Sequence, residues 1–299
     1  MKGNLNKNME NSITKANNTI TKSGKPKFSE FITSKGIKAS INNTLQSETA
    51  TANFIGNMIT VVNKNPIISD CDPVSVIGAG LQAEKLHLSL SPELGYTYLI
   101  PFNDKKHGRK LAVFMLGYRG YIQMAMRTNQ YRNIGVHEVY EGEYAGKDKF
   151  GEACFNWLDN TEGKEVIGYV AYFEMLNGFT KSVYWSKEKI INHAKKYSRT
   201  YDSSDGLWKN SFDKMAKKTL IRDLLHNWGM VSADYLNDAY KADQASIDLE
   251  GNKDYVDNPQ NDEDDVEIDF TQSIVGATET TEEESATEEV TDLFGRTIK

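Results

Sequence analysis

The fold is decided within residues 96–127, which read YTYLIPFNDKKHGRKLAVFMLGYRGYIQMAMR. The apolar runs Leu99–Phe102 and Leu111–Gly117 predict two strands joined by a basic loop, and Tyr118–Arg127 predicts a helix. The second strand is apolar on both faces, which is typical of a central strand covered on both sides. The stretch holds six Lys or Arg residues and one acid, Asp104. A positive loop beside an aromatic residue and an arginine suits a polyanion with flat rings, namely nucleic acid.

Helices are predicted on both sides of this stretch. Periodic apolar residues indicate one helix over Ala52–Val62. Asp72, followed by proline at the first helical position, predicts the start of another that runs to about Leu86. A third helix is expected from Ser186, its N-cap, to about Arg199, and a fourth over Asp213–Asn227.

Further strands are predicted after the central stretch. Apolar and polar residues alternate over Asn133–Glu143, which indicates a strand. The runs Val166–Leu176 and Phe179–Trp185 flank the dipeptide Asn177-Gly178. That dipeptide favours positive φ at both central positions of a turn, so these runs predict a β-hairpin.

These patterns predict an α+β protein with a single domain, in which a small antiparallel or mixed sheet packs on helices. Residues 1–27 are rich in Asn, Thr, Ser and Lys, so we expect a flexible segment before a folded core at 28–242. Residues 243–299 hold 18 Asp or Glu and 3 Lys or Arg, so we expect an acidic disordered tail. The rest of the chain holds 32 Lys or Arg and 24 Asp or Glu. This basic body means that the overall pI of 5.4 does not argue against nucleic acid.

Several functional classes lack their signatures in this sequence. There is no phosphate-binding loop of the form G-x-x-x-x-G-K-[ST], which argues against nucleotide hydrolysis. The histidines and the two cysteines, Cys71 and Cys154, lack metal-ligand spacing, so we expect reduced thiols and neither a metal nor a cofactor. No nucleophile-elbow sequence is present, and we expect no covalent catalysis. No apolar run approaches the ~20 residues of a membrane helix, and we expect no secretory signal.

Basic residues gather in three places. The first is the loop Lys105–Lys110, and the second is the helix that begins at Ser186. The third is the helix Asp213–Asn227, where Lys214, Lys218 and Arg222 are spaced by four residues and so form a row on one face.

Aliphatic and aromatic residues accompany the third cluster. Ile221 and Leu225 lie within its basic row, where they could contact another element, a neighbouring subunit, or base and sugar surfaces. Trp208, just before the helix, is either a core residue or a stacking platform. The candidate DNA-binding residues are Lys105, Lys106, Arg109, Lys110, Tyr118, Arg119, Arg127, Lys195, Lys196, Arg199, Trp208, Lys214, Lys217, Lys218 and Arg222.

The order of short motifs resembles that of the RecT family of phage and prophage single-strand annealing proteins. The resemblance covers about residues 86–228 and depends on the joint order of the motifs. They are LSLSPELG at 88–95, YLIPF at 98–102, GYRGYIQMAMR at 117–127, VYEGE at 139–143, GYVAYFE at 168–174, VYWSKEKI at 183–190 and W-x6-MAKKTLIR from Trp208 to Arg222.

The resemblance implies ATP-independent annealing of complementary DNA strands during homologous recombination. Subunits would form a homo-oligomeric ring or helical filament and hold single strands and the nascent duplex in a basic groove. Residues 28–242 would be the DNA-binding, annealing and oligomerisation core, with the first two clusters gripping phosphates and the third lining the groove floor. Tyr118, Arg119 and Trp208 would stack on bases or brace the groove.

The resemblance also implies partners and a location. A 5′→3′ exonuclease would expose the single strands, and a host single-strand-binding protein would be a further contact. The protein would act in the cytoplasm of a bacterium that carries the phage or prophage, without a membrane partner. The acidic tail would serve in partner binding or autoinhibition.

Three other functions stay open at this stage. The chain could bind and protect single-stranded DNA without annealing it. It could be a metal-dependent nuclease or recombinase that uses carboxylates of the body, such as Glu138, Glu141, Glu143 and Glu174. It could also be an acidic-tailed interaction scaffold with no role on DNA.

Overall fold

The computed structural model describes residues 27–104, 108–198, 200–204, 206–230 and 233–255. For residues 233–237 and 254–255 only the backbone is described. The predicted flexible segment up to residue 26 and the tail from residue 256 lie outside the described residues, as do Lys105, Lys106 and Arg199.

Five helices open the described chain, and strands and further helices follow them in groups. The helices are α1 (Phe28–Ile32), α2 (Lys35–Leu45), α3 (Glu48–Lys64), α4 (Pro66–Ser69), α5 (Pro73–Lys85), α6 (Tyr118–Met126), α7 (Lys187–Tyr197), α8 (Leu207–Asn210), α9 (Phe212–Trp228) and α10 (Ala233–Ala242). The strands are β1 (Thr97–Asp104), β2 (Arg109–Leu116), β3 (Tyr131–Tyr140), β4 (Tyr144–Lys147), β5 (Ala153–Phe155), β6 (Val166–Met175), β7 (Thr180–Ser186), β8 (Ala245–Ile247) and β9 (Lys253–Tyr255).

The predicted α+β class is confirmed, although the fold divides into two compact units. The first unit contains the described residues up to Tyr131 and those from Ile221 onward, and the second contains Arg132–Leu220. Where the sequence predicts one small sheet, the described residues form sheets of four, three and two strands. The division falls within helix α9 and next to the start of β3. A periodicity argument cannot detect such a division, because it treats each element separately.

The first unit is built on an antiparallel sheet with strand order β1-β2-β8-β9. Strand β2 lies inside this sheet and is buried from Leu111 to Leu116, so the prediction of a covered central strand is confirmed. Helix α5 begins as predicted, since the Asp72 carboxylate accepts a hydrogen bond from the Val74 N–H at 2.9 Å. The Ser75 hydroxyl accepts a further hydrogen bond from the Ala112 N–H at 2.8 Å, which ties α5 to β2.

Strands β8 and β9 correct the expectation that the folded core ends at residue 242. The buried Asp243 carboxylate accepts hydrogen bonds from the Leu116 N–H at 2.9 Å and from the Tyr121 hydroxyl at 3.2 Å. Burial, followed by the charge of Asp243, raises the pKa of Tyr121 well above its ordinary value. Helix α5 packs so closely on β8 that a Cβ on Gly78 would lie 2.1 Å from the Ile247 carbonyl oxygen. Residues 243–255 therefore belong to the first unit, and counting acidic residues misjudged them.

The second unit holds a three-stranded sheet of order β3-β6-β7 and the small hairpin β4–β5. Val139, Phe155 and Val170 are fully buried and form a core in which Tyr144 and Tyr184 also pack. Ser186 ends β7 and caps α7 as predicted, because its hydroxyl accepts a hydrogen bond from the Lys189 N–H at 3.2 Å. Strand β7 is therefore followed directly by α7, a helix with a basic surface.

The predicted hairpin between β6 and β7 is present, but its turn differs from the prediction. Gly178 has a φ of 86°, whereas Asn177 is not among the residues with positive φ. The Met175 N–H donates a hydrogen bond to the Phe179 carbonyl at 2.8 Å, so three residues form the loop. The Asn177 side-chain oxygen accepts a hydrogen bond from the Phe179 N–H at 2.9 Å. This local bond stabilises an alternative to the two-residue turn that the dipeptide favours.

Among the described residues, no helix has both the length and the apolar character required to cross a bilayer. Both cysteines, Cys71 and Cys154, are buried thiols.

Candidate nucleic-acid interface

The basic residues at the base of the β1–β2 loop are held close to carboxylates. Arg109 lies 3.3 Å from Asp72 and 3.4 Å from Asp104, and Lys110 lies 3.5 Å from Asp70. Four of these residues line a surface cavity of about 830 Å³, which therefore carries both signs of charge. A DNA phosphate at this position would have to compete with carboxylates of the first unit itself.

Helix α6 of the first unit opens with an exposed aromatic–arginine pair. The Arg119 Nε donates a hydrogen bond to the Tyr118 hydroxyl at 3.3 Å, and the guanidinium carbon lies 5.8 Å from the ring centroid. Arg119 is exposed and Tyr118 is partly exposed. The structure thus brings together these two candidate residues, with a planar cation and an aromatic ring presented at the surface.

Arg127 has a structural role at the end of helix α5. Its guanidinium donates hydrogen bonds to the backbone carbonyls of Leu86, at 2.8 Å, and His87. Carbonyls at the C-terminal end of a helix have no partner within the helix, and a cation there also interacts favourably with the helix dipole. Arg127 therefore stabilises the fold, and any contact of its side chain with DNA would use its remaining donors.

The aliphatic residues in the basic row of helix α9 belong to the first unit, and their burial defines their role. Ile221 and Leu225 are fully buried, so they are core residues. Arg222 is exposed, and its guanidinium carbon lies 5.0 Å from the ring centroid of Tyr240. The Tyr240 hydroxyl in turn donates a hydrogen bond to the Arg222 carbonyl at 3.1 Å.

The three lysines in the part of helix α9 that belongs to the second unit differ in solvent exposure. Lys214 is exposed, and Lys217 forms an ion pair with Glu138 at 2.6 Å. Lys218 is only 5% exposed, although it lies in one helical row with the exposed Lys214 and Arg222. A row of basic residues on one face is exposed only if the helix is covered on the opposite face alone. Helix α9 has buried residues on more than one face, and Lys218 lies among them. A phosphate contact by Lys218 would require its ammonium group to move out to solvent.

The start of α9 is fixed by buried aromatic residues. Trp208 is 6% exposed and meets Phe212 edge to face, with ring centroids 5.7 Å apart. Of the two alternatives for Trp208, the structure therefore favours the core residue. The Tyr169 hydroxyl donates a hydrogen bond to the Asp213 carboxylate, and burial, then this bond, raises the pKa of Tyr169. These contacts hold the helix turn that presents Lys214.

Helix α7 and the residue before its cap form a surface that the sequence analysis recognised only in part. Trp185, Lys189, His193 and Tyr197 are spaced by four residues, and we name them the aromatic–lysine ladder. The Lys189 Nζ lies 4.3 Å from the Trp185 ring centroid. The rings of Trp185 and His193 are 5.2 Å apart, and those of His193 and Tyr197 are 4.6 Å apart.

Two candidate lysines adjoin this ladder. The Lys196 Nζ lies 5.0 Å from the ring centroid of Tyr197, and the Lys195 Nζ lies 5.9 Å from that of Tyr201. Both lysines are exposed. Both lysines were predicted DNA contacts, whereas Trp185 and Tyr197 were not. A search for aromatic residues at helical spacing, continued across the N-cap, would have found them.

Three of the four carboxylates considered for metal binding already have partners within the second unit. Glu138 pairs with Lys217, and Glu174 lies 2.8 Å from Arg132. Glu143 is buried and accepts a hydrogen bond from the Tyr140 N–H at 2.7 Å. Within the part of the chain that the structure describes, no three or more His, Cys, Asp or Glu side chains are grouped to hold a metal ion.

Comparison with known proteins shows the family of this chain. A family model described as the RecT family matches residues 52–257. The chain belongs to the RecT family. This confirms the resemblance found in the order of the motifs, and the RecT-family region includes β8 and β9, in agreement with the corrected boundary of the core.

Two relatives give the extent of the similarity. The chain is 38% identical to the uncharacterized protein YqaK of Bacillus subtilis (strain 168) over 181 residues, which is 60% of each chain. It is 28% identical to Protein RecT of Escherichia coli (strain K12) over 197 residues, which is 65% of this chain and 72% of that protein. The match thus spans less than two thirds of YqaK. All candidate DNA-binding residues lie inside the RecT-family region.

Proposed function

We propose that this protein anneals complementary single strands of DNA and thereby promotes homologous recombination. The observation that carries the proposal is the match to the RecT family over residues 52–257, which covers the described part of the second unit and most of that of the first. The exposed cations give it a physical basis. Because phosphate contacts carry no sequence information, a surface of lysines and arginines can hold any strand while its bases search for a complement.

The proposed phosphate contacts differ in strength between residues. The larger share falls to exposed cations that contact aromatic rings, together with the exposed Lys214: Arg119, Lys195, Lys196, Lys214 and Arg222. Arg109, Lys110 and Lys217 contribute less, because each is paired with a carboxylate. Lys105, Lys106 and Arg199 remain proposed contacts from the sequence. Arg127, Trp208 and Lys218 act mainly in support of the fold.

The finer features of the function are part of the same proposal. The reaction needs no ATP, since its driving forces are counterion release and base pairing. The protein works as a homo-oligomer, either a ring or a helical filament, and forms no covalent intermediate. Its partners are a 5′→3′ exonuclease and a host single-strand-binding protein, and its setting is the cytoplasm of a bacterium carrying a phage or prophage.

The test mixes two complementary oligonucleotides, one with a fluorophore and one with a quencher, with the full chain in the absence of ATP and magnesium. An annealing protein accelerates quenching above the spontaneous rate. A protein that only protects single strands slows it, which would establish the runner-up function instead. An unchanged rate together with no gel shift at low salt would favour the interaction scaffold.

The nuclease alternative has its own test. Incubation of end-labelled DNA with the full chain and magnesium would release shorter products if the body carboxylates served two-metal chemistry. We expect no products. Substituting Glu138 and Glu174 with Gln should leave that result unchanged, because both carboxylates take part in ion pairs with basic side chains.

A further inference from the structure

The aromatic–lysine ladder presents aromatic rings at the surface of a basic helix. Tyr197 is 44% exposed, and Trp185 and His193 are partly exposed. An aromatic ring of this size on a soluble helix normally turns its apolar face to a core. Here the rings instead contact one another and the lysine ammonium groups along the outside of α7.

The charge of α7 selects the class of ligand that fits the ladder. The helix carries four lysines and a single acid, Glu188. The ammonium groups of Lys189 and Lys196 lie over ring faces, and a cation–π contact leaves the positive charge in place. A ligand for this surface should therefore combine negative charge with flat apolar faces, as a single-stranded nucleic acid does.

We propose that the aromatic–lysine ladder is a nucleobase-stacking site for single-stranded DNA. A base lies against the exposed face of Tyr197, and its phosphates contact Lys195 and Lys196. Stacking uses the face of a base and leaves its hydrogen-bonding edge open to a second strand. The site would thus hold a strand in a form that can still pair. This inference rests on the proposed function and adds a base contact to its phosphate contacts.

The experiment compares two probes that differ only in bases. Fluorescein-labelled oligothymidylate and an abasic oligomer with the same number of phosphates are titrated with the full chain, and affinities are measured by anisotropy. The wild-type chain should prefer oligothymidylate by about tenfold, the preference expected from one stacked base. Tyr197→Ala should lose most of this preference while its affinity for the abasic oligomer stays unchanged. Tyr197→Phe keeps the ring and should keep the preference.

Matched controls separate stacking from general loss of structure. Phe179→Ala removes an aromatic ring of nearly equal exposure, 43%, from the β6–β7 turn and should keep the preference. Lys195→Gln should weaken binding of both probes equally, because it removes a phosphate contact. Thermal unfolding of each variant verifies that the fold is intact. Trp185→Phe provides a second ladder variant that retains an aromatic ring and should retain the preference.

The outcomes distinguish the inference from the proposed function. If the wild-type chain binds both probes equally well, the ladder is not a base site, while the proposed function stands. The ladder is also excluded as a base site if Tyr197→Ala keeps the full preference. A change in oligomeric state alone, seen for this variant in size-exclusion chromatography, would make the ladder a protein contact instead. If neither probe binds, the proposed function itself fails and the inference fails with it.

Discussion

The base of the β1–β2 loop and helix α7 both carry clustered cations, but those cations have different partners. In the first region, Arg109 and Lys110 lie within 3.5 Å of carboxylates. In the second, Lys189 and Lys196 lie 4.3 Å and 5.0 Å from the centroids of aromatic rings. A carboxylate cancels the charge of its partner, whereas a ring attracts a cation and leaves its charge in place. The two surfaces therefore offer an incoming phosphate different net charges although their basic side chains are alike.

The largest effect should come from a basic residue that is buried. Lys218→Glu places a carboxylate at a site that is 5% exposed, and we expect it to lower the free energy of unfolding by about 3–5 kcal/mol. Lys214→Glu makes the same charge change one helical turn earlier at an exposed site, and its effect should stay within about 0.5 kcal/mol. Urea unfolding of both variants measures the difference.

Equal free energies of unfolding for the two variants would contradict this comparison, because the exposure of a basic residue would then not determine its contribution to stability. The DNA affinity of Lys214→Glu supplies a complementary measurement. It should fall although the fold is unchanged, since this lysine is exposed to solvent.

A smaller effect should distinguish the two cationic regions directly. The double variant Lys195→Gln/Lys196→Gln should reduce the slope of log affinity against log salt by about 1.4, since each phosphate neutralised on a single strand contributes about 0.7. The matched double variant Arg109→Gln/Lys110→Gln should reduce it by clearly less, because those cations are paired with carboxylates before DNA arrives.

Binding of oligothymidylate across a series of salt concentrations gives both slopes. The comparison would be reversed if the Arg109/Lys110 variant lost the greater part of the salt dependence. That result would mean that DNA displaces the carboxylates at little cost.

The smallest effect should come from removing a carboxylate from the first region. Asp70→Asn releases Lys110 from its ion pair and should strengthen DNA binding by about twofold to fivefold, the range expected from an exposed pair. Asp159→Asn changes the net charge equally at an exposed position of the second unit and should have less effect. If the two variants gained equally in affinity, net charge alone would account for the gain and the local pairing would be irrelevant.

Local chemistry made much of the fold predictable. Asp72 caps α5 because a carboxylate satisfies an unpaired N–H at a helix start, and Pro73 occupies the position where no N–H is required. The doubly apolar strand β2 could only be a covered one. Both inferences need only residues close together in the chain, and both are confirmed.

The remainder depends on contacts between distant residues. Strand β8 has three residues and pairs with β2, so no pattern within residues 243–255 reveals it. Lys218 is buried because α9 is covered on more than one side, which a helical projection of α9 alone does not show. The pairing of Arg109 with Asp72 joins residues 37 positions apart. Candidate DNA contacts could therefore be chosen from the sequence by charge, but not ranked.

Strand β8 comes near the end of the described chain but pairs with β2 in the sheet of the first unit, and this has a consequence for folding during synthesis. Asp243 accepts a hydrogen bond from the Leu116 N–H across 127 residues, and the described residues of the second unit, Arg132–Leu220, lie between them in the chain. The ribosome therefore synthesises every described residue of the second unit before strand β8, which pairs with β2 in the first. Because domains generally fold as units, strand β8 can join the first sheet only after the residues of the second unit have been made.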